Sequence, residues 1–144
     1  MNNFQKLELS GRTIFNQKLM ANGSSAITLT NLYDNVDVLW EKNDKAYVAE
    51  IKCRDHHHTQ YKTAILEKGK YDALQQFERE QYYVMLYDDG VGYMWRINDL
   101  KPKWETKYLP KTRYGSKDLV KKEITYLSFD DAIKIIINND VTIM

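Results

Sequence analysis

Two short runs, residues 36–40 and 46–53, flank Asn43-Asp44, and every second residue in them, 36, 38 and 40 and then 47, 49, 51 and 53, is apolar. Asn and Asp tolerate the left-handed backbone of a two-residue hairpin loop, so the pattern predicts a tight β-hairpin. Such a loop pairs Lys42 with Lys45, Trp40 with Tyr47 and Asp37 with Glu50. One face then carries Val36, Val38, Trp40, Tyr47, Ala49, Ile51 and Cys53. The other carries Asn35, Asp37, Leu39, Val48, Glu50 and Lys52. Two like charges directly opposed destabilise a strand pair. A hard divalent cation between them turns that cost into a binding site, because magnesium accepts one or two carboxylates and keeps several waters. Lys52 on the same face stands where it can orient a metal-bound water or stabilise charge developing on a phosphate. An ordinary amphipathic hairpin with a solvated polar face has the same spacing. The strong apolar stripe on the opposite face argues for a central position and hence for a cleft.

The rest of the chain builds around this hairpin. Residues 4–20 recur at helical steps through Phe4, Leu7, Ile14, Phe15 and Leu19, although Gly11 weakens the helix. Asn22-Gly23 is a helix stop, and residues 25–30 are a β-branched strand. Residues 59–80 read as one long helix marked by Tyr61, Ile65, Leu74 and Phe77. Residues 81–87 and 91–97 alternate around Asp88-Asp89-Gly90, a second hairpin. Residues 98–120 read as irregular and basic, and residues 123–127 as a last strand. Ser128-Phe129-Asp130-Asp131 resembles a capping box before a helix over 132–137. The period changes from about 2 to about 3.6 and back, which predicts a mixed α/β domain. At 144 residues the chain suits one domain, with a core over about 4–97, a basic loop over 98–122 and a C-terminal strand and helix over 123–144.

Asp37 followed after twelve residues by Glu50-Ile51-Lys52 resembles the signature of the PD-(D/E)XK nuclease superfamily. The element order of helix, three strands, helix and strand is similar to the αβββαβ core of that family, a restriction-endonuclease-like fold with a central mixed sheet flanked by helices. The resemblance covers about two thirds of the chain. It implies a magnesium-dependent DNA endonuclease, with manganese able to substitute. The metal ligands would be Asp37 and Glu50, and Lys52 would be catalytic. Small phage-type, Holliday-junction-resolvase-like and repair nucleases are the closer group suggested by size. Val36 stands where the family motif has proline. Asp34 replaces Asp37 as ligand if the strand begins with a bulge. Some resolvase-like members add a glutamate from the first helix, and Glu8 is the only acid before Asp34. The alternative for Glu8 is a plain surface position.

Charge points the same way. The net +1 hides a local +6 over residues 101–122, which leaves −5 elsewhere. A basic segment on an acidic domain is a candidate polyanion contact, and a solvated loop is the alternative. Lys111, Arg113 and Lys117 lie among Trp104, Tyr108 and Tyr114, a mixture that suits a nucleic-acid backbone and exposed bases. On the second helix the resemblance implies that Lys68 or Lys70 contacts the scissile phosphate, and a solvated helix face is the alternative. The run His56-His57-His58 does not suit zinc, since three consecutive side chains converge poorly on one ion. The expected partner is DNA, including branched DNA, bound by a homodimer if two strands are cut symmetrically. No apolar run is long enough to span a membrane, no secretory signal pattern opens the chain, and the single Cys53 has no partner for an internal disulfide. Those features fit the cytoplasm, that of the host cell if the protein is phage-encoded. Two other classes remain open on sequence: a catalytically silent nucleic-acid-binding module of the same fold, and an adaptor in a protein assembly.

Overall fold

A computed structural model describes residues 3–31, 34, 36–110 and 118–136. The chain opens with α1 (Asn3–Ala21), followed by β1 (Ser25–Leu29), β2 (Val38–Lys42) and β3 (Lys45–Arg54). Next come β4 (Thr63–Glu67), α2 (Lys68–Gln75), β5 (Glu80–Tyr87) and β6 (Val91–Arg96). The last elements are β7 (Glu105–Pro110), β8 (Leu119–Ser128) and β9 (Ile133–Ile136). Six strands form the main sheet in the order β1-β2-β3-β5-β6-β9, and three form a smaller sheet in the order β4-β8-β7. The main sheet is mixed. β3 runs parallel to β5, and its other neighbours are antiparallel.

The hairpin forms as the sequence dictates. Asn43 and Asp44 both adopt positive φ, at 52° and 64°, and Lys42 pairs with Lys45. Trp40 faces Tyr47 and stacks on it with ring centroids 5.3 Å apart. α1 ends at Asn22-Gly23 in a Schellman motif. Gly23 has φ +80°, its N–H donates to Met20, and the Ser24 N–H donates to Leu19.

Each face of the main sheet is covered. Phe15 and Leu19 of α1 pack on Val38, Trp40, Ala49 and Ile51. On the far face Leu74 of α2 and Leu66 of β4 pack on Val48, Tyr83 and Trp95. The second face is therefore core over much of its area and not simply polar, since Val48 is fully buried there. Tyr83 donates its hydroxyl to the Ile65 carbonyl at 3.1 Å, and the Trp95 indole donates to the Ser128 carbonyl at 2.7 Å. These bonds tie the small sheet to the large one.

Gly11 is explained by how closely α1 lies on the sheet. A Cβ there would sit 1.9 Å from the Cys53 Sγ, well inside contact distance. Helix propensity alone favours Gly11→Ala by about 1 kcal/mol. The overpacking it creates costs about 1–3 kcal/mol. Gly11→Ala is expected to lower stability by urea unfolding, and Cys53→Ala in the same chain should restore most of the loss. A double mutant no more stable than Gly11→Ala would show that the sulfur is not the obstacle.

Four expectations change. Residues 59–80 are not one helix: β4 occupies Thr63–Glu67 and α2 only Lys68–Gln75. Ala64 and Leu66 are buried and the β-branched Thr63 and Ile65 point outward, a period of two hidden by the helical spacing of Tyr61 and Ile65. The basic stretch over 98–122 is not an irregular loop throughout, because β7 and the start of β8 pair within it. Exposure of nearly all of β7 erases the alternation that would reveal a strand. The helix expected over 132–137 is strand β9 over Ile133–Ile136. The Ser128 Oγ does accept the Asp130 N–H at 3.2 Å, but it caps a single 3-10 turn. The isoleucines that follow then extend along β6. Finally, Val36 packs with Val48 on the second face, not with Val38 on the first.

Candidate active site

Val36 changes face because the pairing of β2 with β3 shifts at Asp37. Val38 still opposes Ala49, yet the Asp37 N–H also donates to the Ala49 carbonyl, at 2.9 Å. Two residues opposing one is the geometry of a bulge, so Asp37 does not stand directly opposite Glu50 as the unbulged register predicts. β3 continues to Arg54 beyond the end of β2. The Ile51 N–H, left without a strand partner there, donates to the Asp37 Oδ2 at 2.6 Å. The aspartate side chain thus replaces a ladder bond at the point where the two strands part. The bulge does not bring Asp34 to the site. Asp34 is exposed, and its Oδ2 accepts the Asn31 N–H at 3.0 Å within its own turn.

Glu50 lies next along β3 and is only 3% exposed. Its Oε1 meets the Lys70 ammonium at 3.2 Å and the Lys52 ammonium at 3.7 Å. Its Oε2 is buried with no hydrogen-bond partner among the described residues. Burial and the nearby Asp37 charge push the Glu50 carboxyl up to about 7, against the pull of Lys70 and Lys52. Glu8 is half-buried on α1. Burial raises its carboxyl, with Lys52 opposing and Asp37 reinforcing, which puts Glu8 within electrostatic reach of the same cluster. Asp37, Glu50, Lys52 and Glu8 therefore lie within electrostatic reach of one another, with Lys52 and Glu50 in direct contact.

The two lysines of α2 separate. Lys70 reaches Glu50, whereas Lys68 pairs with Asp72 at 2.9 Å and sits 5.9 Å from the Trp104 ring centre. Tyr71 packs edge-on against Trp104. Lys111, Arg113 and Lys117, with Tyr114, lie outside the described residues. The histidine run docks on the β5–β6 turn: His58 contacts the Asp89 carboxylate, and His57 stands 3.9 Å from Asp88.

Arg12 is the residue that sequence reasoning missed. It is 5% exposed, pairs with the Asp37 Oδ1, and donates to the carbonyls of Thr30 and Asn31, the latter at 3.1 Å. A signal for it exists. The buried stripe of Leu19 and Phe15, continued back along α1, falls on Arg12 and then Glu8 at helical spacing.

The Glu50 carboxyl makes a testable statement about stability. Its folded value lies above the ordinary 4.5. The fold therefore holds the proton more tightly than the unfolded chain does, and that stabilisation is lost as pH rises through about 7. In EDTA the wild type should lose on the order of 2–3 kcal/mol between roughly pH 5 and pH 8, relative to Glu50→Gln. Urea unfolding of both proteins at the two pH values measures this. Parallel pH dependence would show that Glu50 is not ionising at a cost.

Two carboxylates with a partner-free oxygen suit a magnesium ion, which takes few protein ligands and retains water. Among the described residues no three His, Cys, Asp or Glu side chains are gathered tightly enough to ligate one ion by themselves. Asp37 and Glu50 are the two carboxylates that could hold a cation there, and Asp37 shares one of its oxygens with Arg12.

No family model and no curated protein matches the chain. Among solved structures it is similar to Hjc of Archaeoglobus fulgidus, a Holliday junction resolvase from an archaeal hyperthermophile. The TM-score is 0.52 at 11% identity, covering 88% of this chain and 92% of that one. The likeness is one of fold. The protein has the restriction-endonuclease-like α/β fold, with a central mixed sheet between α1 on one face and α2 with the small sheet on the other.

Proposed function

We propose that the protein is a magnesium-dependent DNA endonuclease of the PD-(D/E)XK type, acting on branched DNA in the manner of a junction resolvase or repair nuclease. One observation carries the reading: where β2 leaves β3, Asp37 is held by the Ile51 N–H next to Glu50, its charge acts on Glu50, Lys52 stands 3.7 Å from Glu50, and the buried Oε2 of Glu50 has no hydrogen-bond partner among the described residues. Magnesium, or manganese in its place, would be held by Asp37 and Glu50, and when bound it supplies an acidified water and positive charge for the phosphate oxygens. The Ile51 N–H fixes Asp37, and Lys70 fixes the Oε1 of Glu50. Lys52 lies along β3 with its ammonium 3.7 Å from the Glu50 Oε1, from where it would orient the attacking water or stabilise a phosphoryl oxygen. Glu8 adds a further acid from α1. The match to a resolvase fold supports DNA as partner. Symmetric cutting of two strands favours a two-fold dimer.

A silent nucleic-acid-binding module is the second reading. The Arg12–Asp37 pair favours it, because it satisfies an intended ligand without any metal. Nicking of a four-way junction and a linear duplex, compared in magnesium, calcium and EDTA, separates the two. The nuclease reading expects cleavage in magnesium alone, with preference for the junction. Binding without cleavage under every condition would leave the silent module.

A further inference from the structure

Arg12 joins three acceptors from two parts of the chain: the carbonyls of Thr30 and Asn31 and the Oδ1 of Asp37. A guanidinium stays charged at any accessible pH. Asp37 therefore carries a permanent counter-charge, and a divalent cation approaching Oδ1 meets a positive group already in contact with it. We propose that Arg12 is a resident counter-ion that holds Oδ1 until a divalent cation displaces it, so that this site loads by exchange and not by simple addition. The inference rests on the reading that Asp37 and Glu50 hold a divalent cation.

Three features make exchange feasible. Asp37 stays oriented when Oδ1 is released, because its Oδ2 remains bonded to the Ile51 N–H at 2.6 Å. Arg12 stays hydrogen-bonded when it lets go, because two carbonyls still receive its fork of donors. Glu50 offers a first ligand, its buried Oε2, which has no hydrogen-bond partner among the described residues. Arg12 is thus a positioning residue. It keeps Asp37 aimed and the strand junction closed in the absence of metal, and it sets the affinity of the site.

The test is manganese binding by calorimetry on the full chain, for wild type, Arg12→Met and Arg12→Lys, with Glu50→Gln as the check that the measured site is this one. Thermal unfolding is recorded beside it in EDTA and in saturating manganese. Removing the competing charge should tighten manganese binding by roughly tenfold or more in Arg12→Met. Arg12→Lys, which keeps the charge, should stay near wild type. Arg12→Met should melt lower than wild type in EDTA and recover most of the difference in manganese, because the cation replaces the lost charge. If Arg12→Met does not fold in EDTA, folding on addition of manganese supports the exchange. Failure to fold with manganese present contradicts it. Unchanged affinity in a folded Arg12→Met, with wild type binding normally, overturns the exchange and leaves the metal site standing. No binding by any variant overturns both.

Discussion

Lys52→Ala is expected to bind DNA and to cut it more slowly by a factor on the order of 10²–10³, the usual consequence of losing one preorganised electrostatic contact. The fold should tolerate the change, because Lys70 remains 3.2 Å from Glu50 and keeps its carboxylate paired. Glu50→Gln should lose at least as much activity, because it removes the charge of one of the two proposed metal ligands. The two variants differ in a useful way. Lys52→Ala should bind metal at least as tightly as wild type, and Glu50→Gln should not. Single-turnover cleavage in magnesium, with binding measured in calcium, gives both numbers. Equal cleavage by wild type and both variants would assign the activity to other residues.

The two carboxylates should respond oppositely when stability is measured without metal. Asp37→Ala is expected to cost about 3–5 kcal/mol, because it leaves Arg12 buried without its partner. It also orphans the Ile51 N–H, which accounts for part of that loss. Glu50→Gln should be neutral or stabilising near neutral pH, since it removes a carboxylate whose ionisation the fold opposes. Urea unfolding in EDTA at one pH compares them directly. An Asp37→Ala protein as stable as wild type would mean that Arg12 finds another partner.

The hairpin was legible because its turn and its register are local. Asn43-Asp44 selects the loop, and alternation carries the pairing as far as Val38 with Ala49. Glu50 and Lys52 followed from that register, as did their place on a central strand. The bulge at Asp37 was not legible, because it depends on a side chain capturing the Ile51 N–H across a gap where β2 has ended. Its effect on Val36, which crosses to the other face, was lost with it. Strand β4 was missed for a related reason: its buried partners come from the far sheet and from α2, distant in sequence. Gly11 looked like a flaw in α1 until the sheet beneath it supplied the Cys53 sulfur. Arg12 and Lys70 reach the acids from two helices on opposite faces of the main sheet, and only the folded arrangement brings them together.

The central claim is that Asp37 and Glu50 hold one divalent cation between them. Crystals grown with manganese and measured near its absorption edge test this without reference to turnover. The account predicts an anomalous peak bonded to the Asp37 Oδ1 and the Glu50 Oε2, with Arg12 withdrawn to the Thr30 and Asn31 carbonyls. Saturating manganese with no peak at this position, and Arg12 still paired to Asp37, would contradict it.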